Sequence, residues 1–126
     1  MDVISIKDFP GIRIGNAQNV DGGTGCTVIL SEGGMCAGLD VRGGGPASRE
    51  SELLKPLANA QTIHAVLFGG GSAFGLDAGG GVMQFLEEKD IGFDVGVTKV
   101  PLVCQSDLFD LTVADPHCRP DKAMGY

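Results

Sequence analysis

Val66-Leu67-Phe68-Gly69-Gly70-Gly71-Ser72-Ala73-Phe74-Gly75-Leu76-Asp77-Ala78 is the stretch that decides the fold. An apolar run halts at three glycines and resumes with helical periodicity behind a serine, which reads as strand, tight turn, helix. Glycine opens backbone conformations closed to other residues and lets a neighbour or ligand approach closely. The helix start offers unpaired N–H groups to a negative oxygen. Upstream, the continuous apolar content of His64–Phe68 predicts a buried strand. Downstream, Phe74, Ala78, Val82 and Phe85 share one helical face, and Glu87–Asp90 close the helix in solvent. Gly79-Gly80-Gly81 in mid-helix costs about 1 kcal/mol per residue against alanine. Tertiary packing must therefore hold this helix, through close approach to a sheet or another helix.

Working outward, Phe9-Pro10-Gly11 signals a turn, and the alternation in Ile12–Gly15 predicts a short strand with one buried face. Asp21-Gly22-Gly23 turns the chain into Cys26–Leu30. With Met35–Val41 across Glu32-Gly33-Gly34, this segment reads as an antiparallel hairpin. Arg42-Gly43-Gly44-Gly45-Pro46 is a loop, and Ser48–Leu54 a short helix broken at Pro56. Val100–Cys104 and Leu108–Val113 predict two further strands, Pro101 confining the first to a strand start or an edge. Lys122–Tyr126 begins another helix. The fold class is α/β, in the α+β sense.

At 126 residues and 43% apolar content the chain suits one domain with a small core. Its 21 glycines, well above the roughly 7% usual in proteins, follow no collagen period and point to tight turns. A net charge of −7 and a pI near 4.5, with nine scattered basic residues, exclude nucleic acid as a partner class. No apolar stretch approaches the roughly 18–20 residues of a membrane span, and Asp2, Lys7 and Asp8 stand where a signal peptide would be apolar. The expected location is the cytoplasm. Cys26, Cys36, Cys104 and Cys118 form no C-x-x-C pair and read as reduced structural thiols. No metal site or cofactor is expected.

The glycine cluster fails three familiar patterns. No lysine follows as a P-loop requires, and Phe74 breaks both the G-x-G-x-x-G register and the G-x-S-x-G elbow. Ser72 reads as the N-cap of its helix rather than a nucleophile. His64 reads as a core or strand-end histidine, and His117 lies in a turn. Asp40, Asp77 and Asp110 each interrupt apolar sequence, so partial burial with structural hydrogen bonding is expected of each.

Five ordered motifs carry a resemblance: Pro10–Gly15, Thr24–Val28, Asp40–Gly44, Gly70–Ala78, and Arg119-Pro120-Asp121 through Ala123–Tyr126. Together they resemble the DmpA-type peptidase family, the L-aminopeptidase/D-esterases also called S58 or P1. The resemblance runs from about Phe9 to Tyr126. It implies an αββα sandwich and a precursor that cuts itself before a Ser or Thr, which becomes the N-terminal nucleophile of a second chain with its own α-amino group as base. It implies release of N-terminal amino acids from peptides, amides or esters, without a metal, by an oligomeric enzyme.

In that resemblance Gly69, Gly70, Gly71, Ser72 and Phe74 lie beside the active site, their backbone N–H groups facing an oxyanion. Phe109 and Asp110, on a strand running close to the pocket, are further candidates. The nucleophile belongs to a later part of the family's sequence, so no residue here takes that role. The 126 residues are expected to be a single domain or the N-terminal part of a longer hydrolase, partnered by the remaining segment and by further copies. The alternative is a truncated, non-catalytic module of the same fold that binds small ligands or serves assembly.

Overall fold

A computed structural model describes residues 5–126, so Asp2 lies outside the described residues. Seven strands form among the described residues: β1 (Arg13–Asn19), β2 (Thr24–Met35), β3 (Ala47–Arg49), β4 (Ile63–Gly69), β5 (Phe93–Asp94), β6 (Lys99–Val100) and β7 (Val103–Asp107). The helices are α1 (Ala78–Glu87) and the short α2 (Lys122–Gly125), and a 3₁₀ segment over Ser72–Asp77 leads into α1. Five strands make one mixed sheet in the order β1-β2-β4-β7-β3, and β5 and β6 form a separate ribbon. Among the described residues only β4 and β7 run parallel, and the connection between them carries α1 over one face. The fold is thus α+β.

Period-two alternation explains the core. Cys26, Val28 and Leu30 of β2, Ala65 and Leu67 of β4, and Val103 of β7 are buried against Ala78, Val82 and Leu86 of α1. These helix residues stand four apart, on one α-helical face. Phe74, expected on that face, is 59% exposed, and Phe85 is half-buried while Leu86 fills the position. The tighter 3₁₀ turn before α1 has three residues per turn and throws Phe74 out of phase with the helix behind it. On the opposite sheet face Ile14 and Phe68 are exposed, and Ile29 and Val66 are half-buried.

Two strand expectations are corrected. The hairpin partner of β2 is β1, and residues 36–46 form no strand. Gly33 and Gly34 lie inside the 12-residue β2, where the register against β4 shifts between Leu30 and Met35 and Ser31 Oγ donates to Gly34 O. A bulge there bends the strand instead of reversing it. Leu108–Val113 is not a strand either. Gly69, the last residue of β4, pairs with Asp107, so beyond Asp107 the chain has no neighbour to pair with and leaves the sheet. Pro101 separates β6 from β7, splitting the expected Val100–Cys104 strand. Ser48–Leu54 divides between the end of β3 and a 3₁₀ turn over Ser51–Leu54. His64 is buried at the start of β4, where its Nδ1 accepts the Leu102 N–H at 3.2 Å. Burial lowers its pKa and keeps that nitrogen an acceptor.

The mid-helix glycines meet the close approach that the sequence demands. A Cβ on Gly81 would overlap the Lys122 carbonyl oxygen and stand 2.6 Å from the Tyr126 nitrogen. Reciprocally, a Cβ on Gly125 would overlap the Ala78 carbonyl. α1 and α2 therefore touch backbone to backbone. Gly80 faces only the Lys122 side chain, 3.9 Å away. Gly80→Ala is expected to stabilise the protein by up to about 1 kcal/mol through helix propensity. Gly81→Ala is expected to destabilise it by about 2–3 kcal/mol, because a backbone cannot yield as a side chain can. Urea unfolding of both variants checks the contrast, and equal effects would place the two glycines in the same environment.

Candidate functional site

The turn after β4 is held at every N–H from Gly70 to Ser72. Gly70 donates to Gly25 O at 2.9 Å, Gly71 to Asp110 Oδ1 at 2.6 Å, and Ser72 to Leu108 O at 2.9 Å. Leu108 in turn donates to Gly69 O at 2.7 Å, so the segment leaving β7 laces the turn from the other side. The second oxygen of Asp110 accepts the Thr24 hydroxyl at 2.7 Å. One half-buried carboxylate thus ties the start of β2 to the turn after β4. Gly70 is wedged beneath this clamp, where a Cβ would overlap both Asp110 Oδ2 and Thr24 Oγ1.

Ser72 does not cap its helix. Gly71 takes the position before the 3₁₀ segment with φ +80°, and no side chain caps that end. Ser72 itself adopts φ +53°, whereas an N-cap residue is extended. Two successive left-handed residues, one of them not glycine, mark a turn that its surroundings over-determine. The three engaged N–H groups shape this turn and already have acceptors on the chain.

Among the remaining expected residues, Asp110 is the half-buried carboxylate foreseen. Asp40 is exposed and pairs with Arg42 at 2.7 Å, and Asp77 is exposed and accepts the Lys122 N–H at 3.0 Å. Neither is buried. Their apolar sequence neighbours do not pack over them. Phe109 is 69% exposed. His117 lies in an exposed turn, and the four cysteines are free thiols. Phe74 carries the Arg119 guanidinium, whose Cζ stands 3.6 Å from the ring centroid.

Two residues of the site, Gln105 and Asp107, escaped the sequence reading, and Thr24 entered it only as the first residue of the Thr24–Val28 motif. Gln105 and Asp107 share the α1 face of β7, and Gln105 Nε2 donates to Gly75 O at 2.8 Å and to Asp107 Oδ1 at 2.9 Å. The available signal was an amide and a carboxylate two apart at the polar end of an apolar strand. Desolvation raises the Asp107 pKa, hydrogen bonds from Gln105 and Gly69 oppose the rise, and the nearby Asp110 charge adds to it. Beside the turn, on the sheet face away from α1, lies an open groove of about 580 Å³ whose lining includes Asn16, Thr24, Thr27, Phe68, Gly70 and Asp110. Among the described residues no group of three or more His, Cys, Asp or Glu is placed to hold a metal ion, and no helix is long and apolar enough to cross a membrane.

The model of peptidase family S58 matches residues 5–123. The chain belongs to that family. An uncharacterized aminopeptidase of Mycobacterium leprae is 42% identical over 130 residues, covering 97% of this chain and 36% of the relative. An uncharacterized aminopeptidase of Mycobacterium tuberculosis is 42% identical over 132 residues, covering 97% of this chain and 38% of the relative. A 6-aminohexanoate-oligomer endohydrolase of Kocuria sp. is 33% identical over 119 residues, covering 94% and 31%. The chain therefore spans little more than a third of the length of the mycobacterial relatives it matches. The S58 membership extends across both the glycine turn and the Arg119–Ala123 segment packed around it.

Two outcomes are expected of this S58 turn. Gly70→Ala destabilises the fold by about 2–3 kcal/mol, and the loss shrinks in an Asp110→Ala background, because one partner of the overlap is gone. Denaturant unfolding of the four proteins in this cycle checks the coupling, and strict additivity contradicts it. Because the folded pKa of Asp107 is raised, its contribution is fully present below the unfolded value near 3.8 and is lost as pH rises through the folded value. Relative to Asp107→Asn, the wild type should lose stability as pH climbs from about 4 towards neutrality. Paired unfolding curves across that range read the slope.

Proposed function

We propose that these 126 residues form one wall of an S58 hydrolase that releases N-terminal amino acids from peptides, amides or esters. The nucleophile in this reading is an N-terminal Ser or Thr exposed by self-cleavage, in a segment outside Met1–Tyr126. Its hydroxyl oxygen attacks the substrate carbonyl carbon, its own α-amino group takes the proton, and the departing amine or alcohol receives it. Water then releases the acyl group. The observation that carries the reading is the groove ending at the Asp110-clamped turn, in a chain of this family whose sheet has one face packed on α1 and the other lined by Ile14, Ile29, Val66 and Phe68. That second face suits the inner layer of an αββα sandwich, a second sheet covering it.

Gly69–Ser72 and Phe74 contribute the shape of the wall in this mechanism. With the N–H groups of Gly70, Gly71 and Ser72 already accepted, the turn is rigid before substrate arrives, and Asp110 would have to release Gly71 for that N–H to face an oxyanion. The substrates proposed are small aminoacyl amides and esters. The names of the 6-aminohexanoate-oligomer endohydrolases extend the candidate amides to those of ω-amino acids. Homo-oligomeric assembly and a cytoplasmic location complete the reading.

The experiment is hydrolysis of aminoacyl p-nitroanilides by the longer protein that includes the nucleophile segment, beside these 126 residues alone. Turnover by the longer protein and none by the shorter is the expected result. A folded, self-cleaved longer protein that binds such compounds and turns none over would make the fold a non-catalytic binding module.

A further inference from the structure

Arg119 is held in a way that its charge alone does not require. Its guanidinium sits over the Phe74 ring, with Cζ 3.6 Å from the centroid, and its Nε donates to Pro116 O at 2.7 Å. One face and one edge are thereby fixed, which leaves the two Nη groups as an oriented fork. The Arg119 Cβ also sits 3.2 Å from where a Gly71 Cβ would stand, so the residue leans directly on the turn.

Among the described residues its charge has no carboxylate partner. The ion pairs among the described residues are Arg13–Glu32, Arg42–Asp40, Lys55–Glu52 and Lys99–Asp90, and none includes Arg119. Carboxylates nearby in sequence or around the turn are committed elsewhere. Asp110 accepts from Gly71, Asp115 from His117, Asp121 from Met124 and Asp77 from Lys122, each from a backbone N–H. In a chain of net charge −7 the described residues thus leave a pinned guanidinium without a carboxylate partner beside the glycine turn, with an exposed aromatic ring as its floor. A fork fixed on an aromatic face is the geometry that takes a planar carboxylate by two parallel hydrogen bonds.

We infer that the Arg119–Phe74 stack binds the terminal carboxylate of short peptide substrates and selects for them. The inference rests on the aminopeptidase reading of the site for its choice of ligand. It also sets a length limit. With the scissile bond beside the turn, as the aminopeptidase reading has it, each residue beyond that bond carries the carboxylate about 3.3–3.6 Å further away, so dipeptides reach the fork better than long chains.

The test uses the longer, nucleophile-bearing protein. A dipeptide with a free C-terminal carboxylate and its C-terminal amide are compared by kcat/KM, and non-cleavable reduced-amide analogues of both by calorimetry. An aminoacyl p-nitroanilide reports separately on hydrolysis. The wild type is expected to favour carboxylate over amide by about tenfold in both measurements. Arg119→Gln should bring the ratio to about one, and Arg119→Lys, which keeps the charge but not the fork, should fall between. Equal affinities in the wild type, or a ratio that survives Arg119→Gln, overturn the inference, and this Arg then serves a carboxylate of another segment or copy. Anilide turnover with equal affinities leaves the hydrolase reading intact. A tenfold binding ratio without any turnover leaves the carboxylate site and removes the hydrolase.

Discussion

Gly70 sits where the start of β2, the exit of β4 and the segment leaving β7 converge, and there is no room for a Cβ among them. Thr24 and Asp110 close over its Cα, and Gly71 donates to the same carboxylate that holds Thr24. This contact sets the direction in which α1 departs, and so which face of the sheet the helix covers. It also forces two left-handed residues in succession, which brings Phe74 outward to meet Arg119. The half-buried clamp and the exposed stack are consequences of one steric restriction. The groove beside the turn inherits its rigidity, because each N–H that defines the turn is satisfied before any ligand enters.

The second tight contact, between α1 and α2, works by the same means at the first turn of α1. Backbone meets backbone at Gly81 and Gly125, and Asp77 fastens the start of α2 by accepting the Lys122 N–H. These contacts bring the Arg119–Asp121 segment against Gly71. The C-terminal part of the chain is thereby a component of the site, although it is distant in sequence.

Local chemistry made the strand-turn-helix unit legible, since the apolar run, the glycines and the helical period coincide in one short stretch. The helix glycines were legible as a demand for close packing, although not which backbone would supply it. Partners distant in sequence were invisible. Gly33-Gly34 reads as a turn by composition, yet the pairing of β2 with β4 continues to Met35 and turns those residues into a bulge. Leu108–Val113 has strand composition but no neighbour beyond Asp107 to pair with. Ser72 has the identity of a cap and the wrong dihedral, set by the Leu108 and Asp110 bonds around it. Asp110 was recognisable as an interrupted apolar position, while Gln105 and Asp107 became site residues through the sheet register and Thr24 through its hydrogen bond to Asp110.

In the proposed reading this chain supplies one wall of an S58 hydrolase and another segment supplies the nucleophile. The most direct measurement is to treat the longer protein with an aminoacyl phosphonate that modifies activated hydroxyls, and to map the adduct by mass spectrometry of its peptides. The label is expected on the N-terminal Ser or Thr of a segment outside Met1–Tyr126. A stoichiometric adduct on Ser72 would contradict it, making the strained serine of the glycine turn the reacting group.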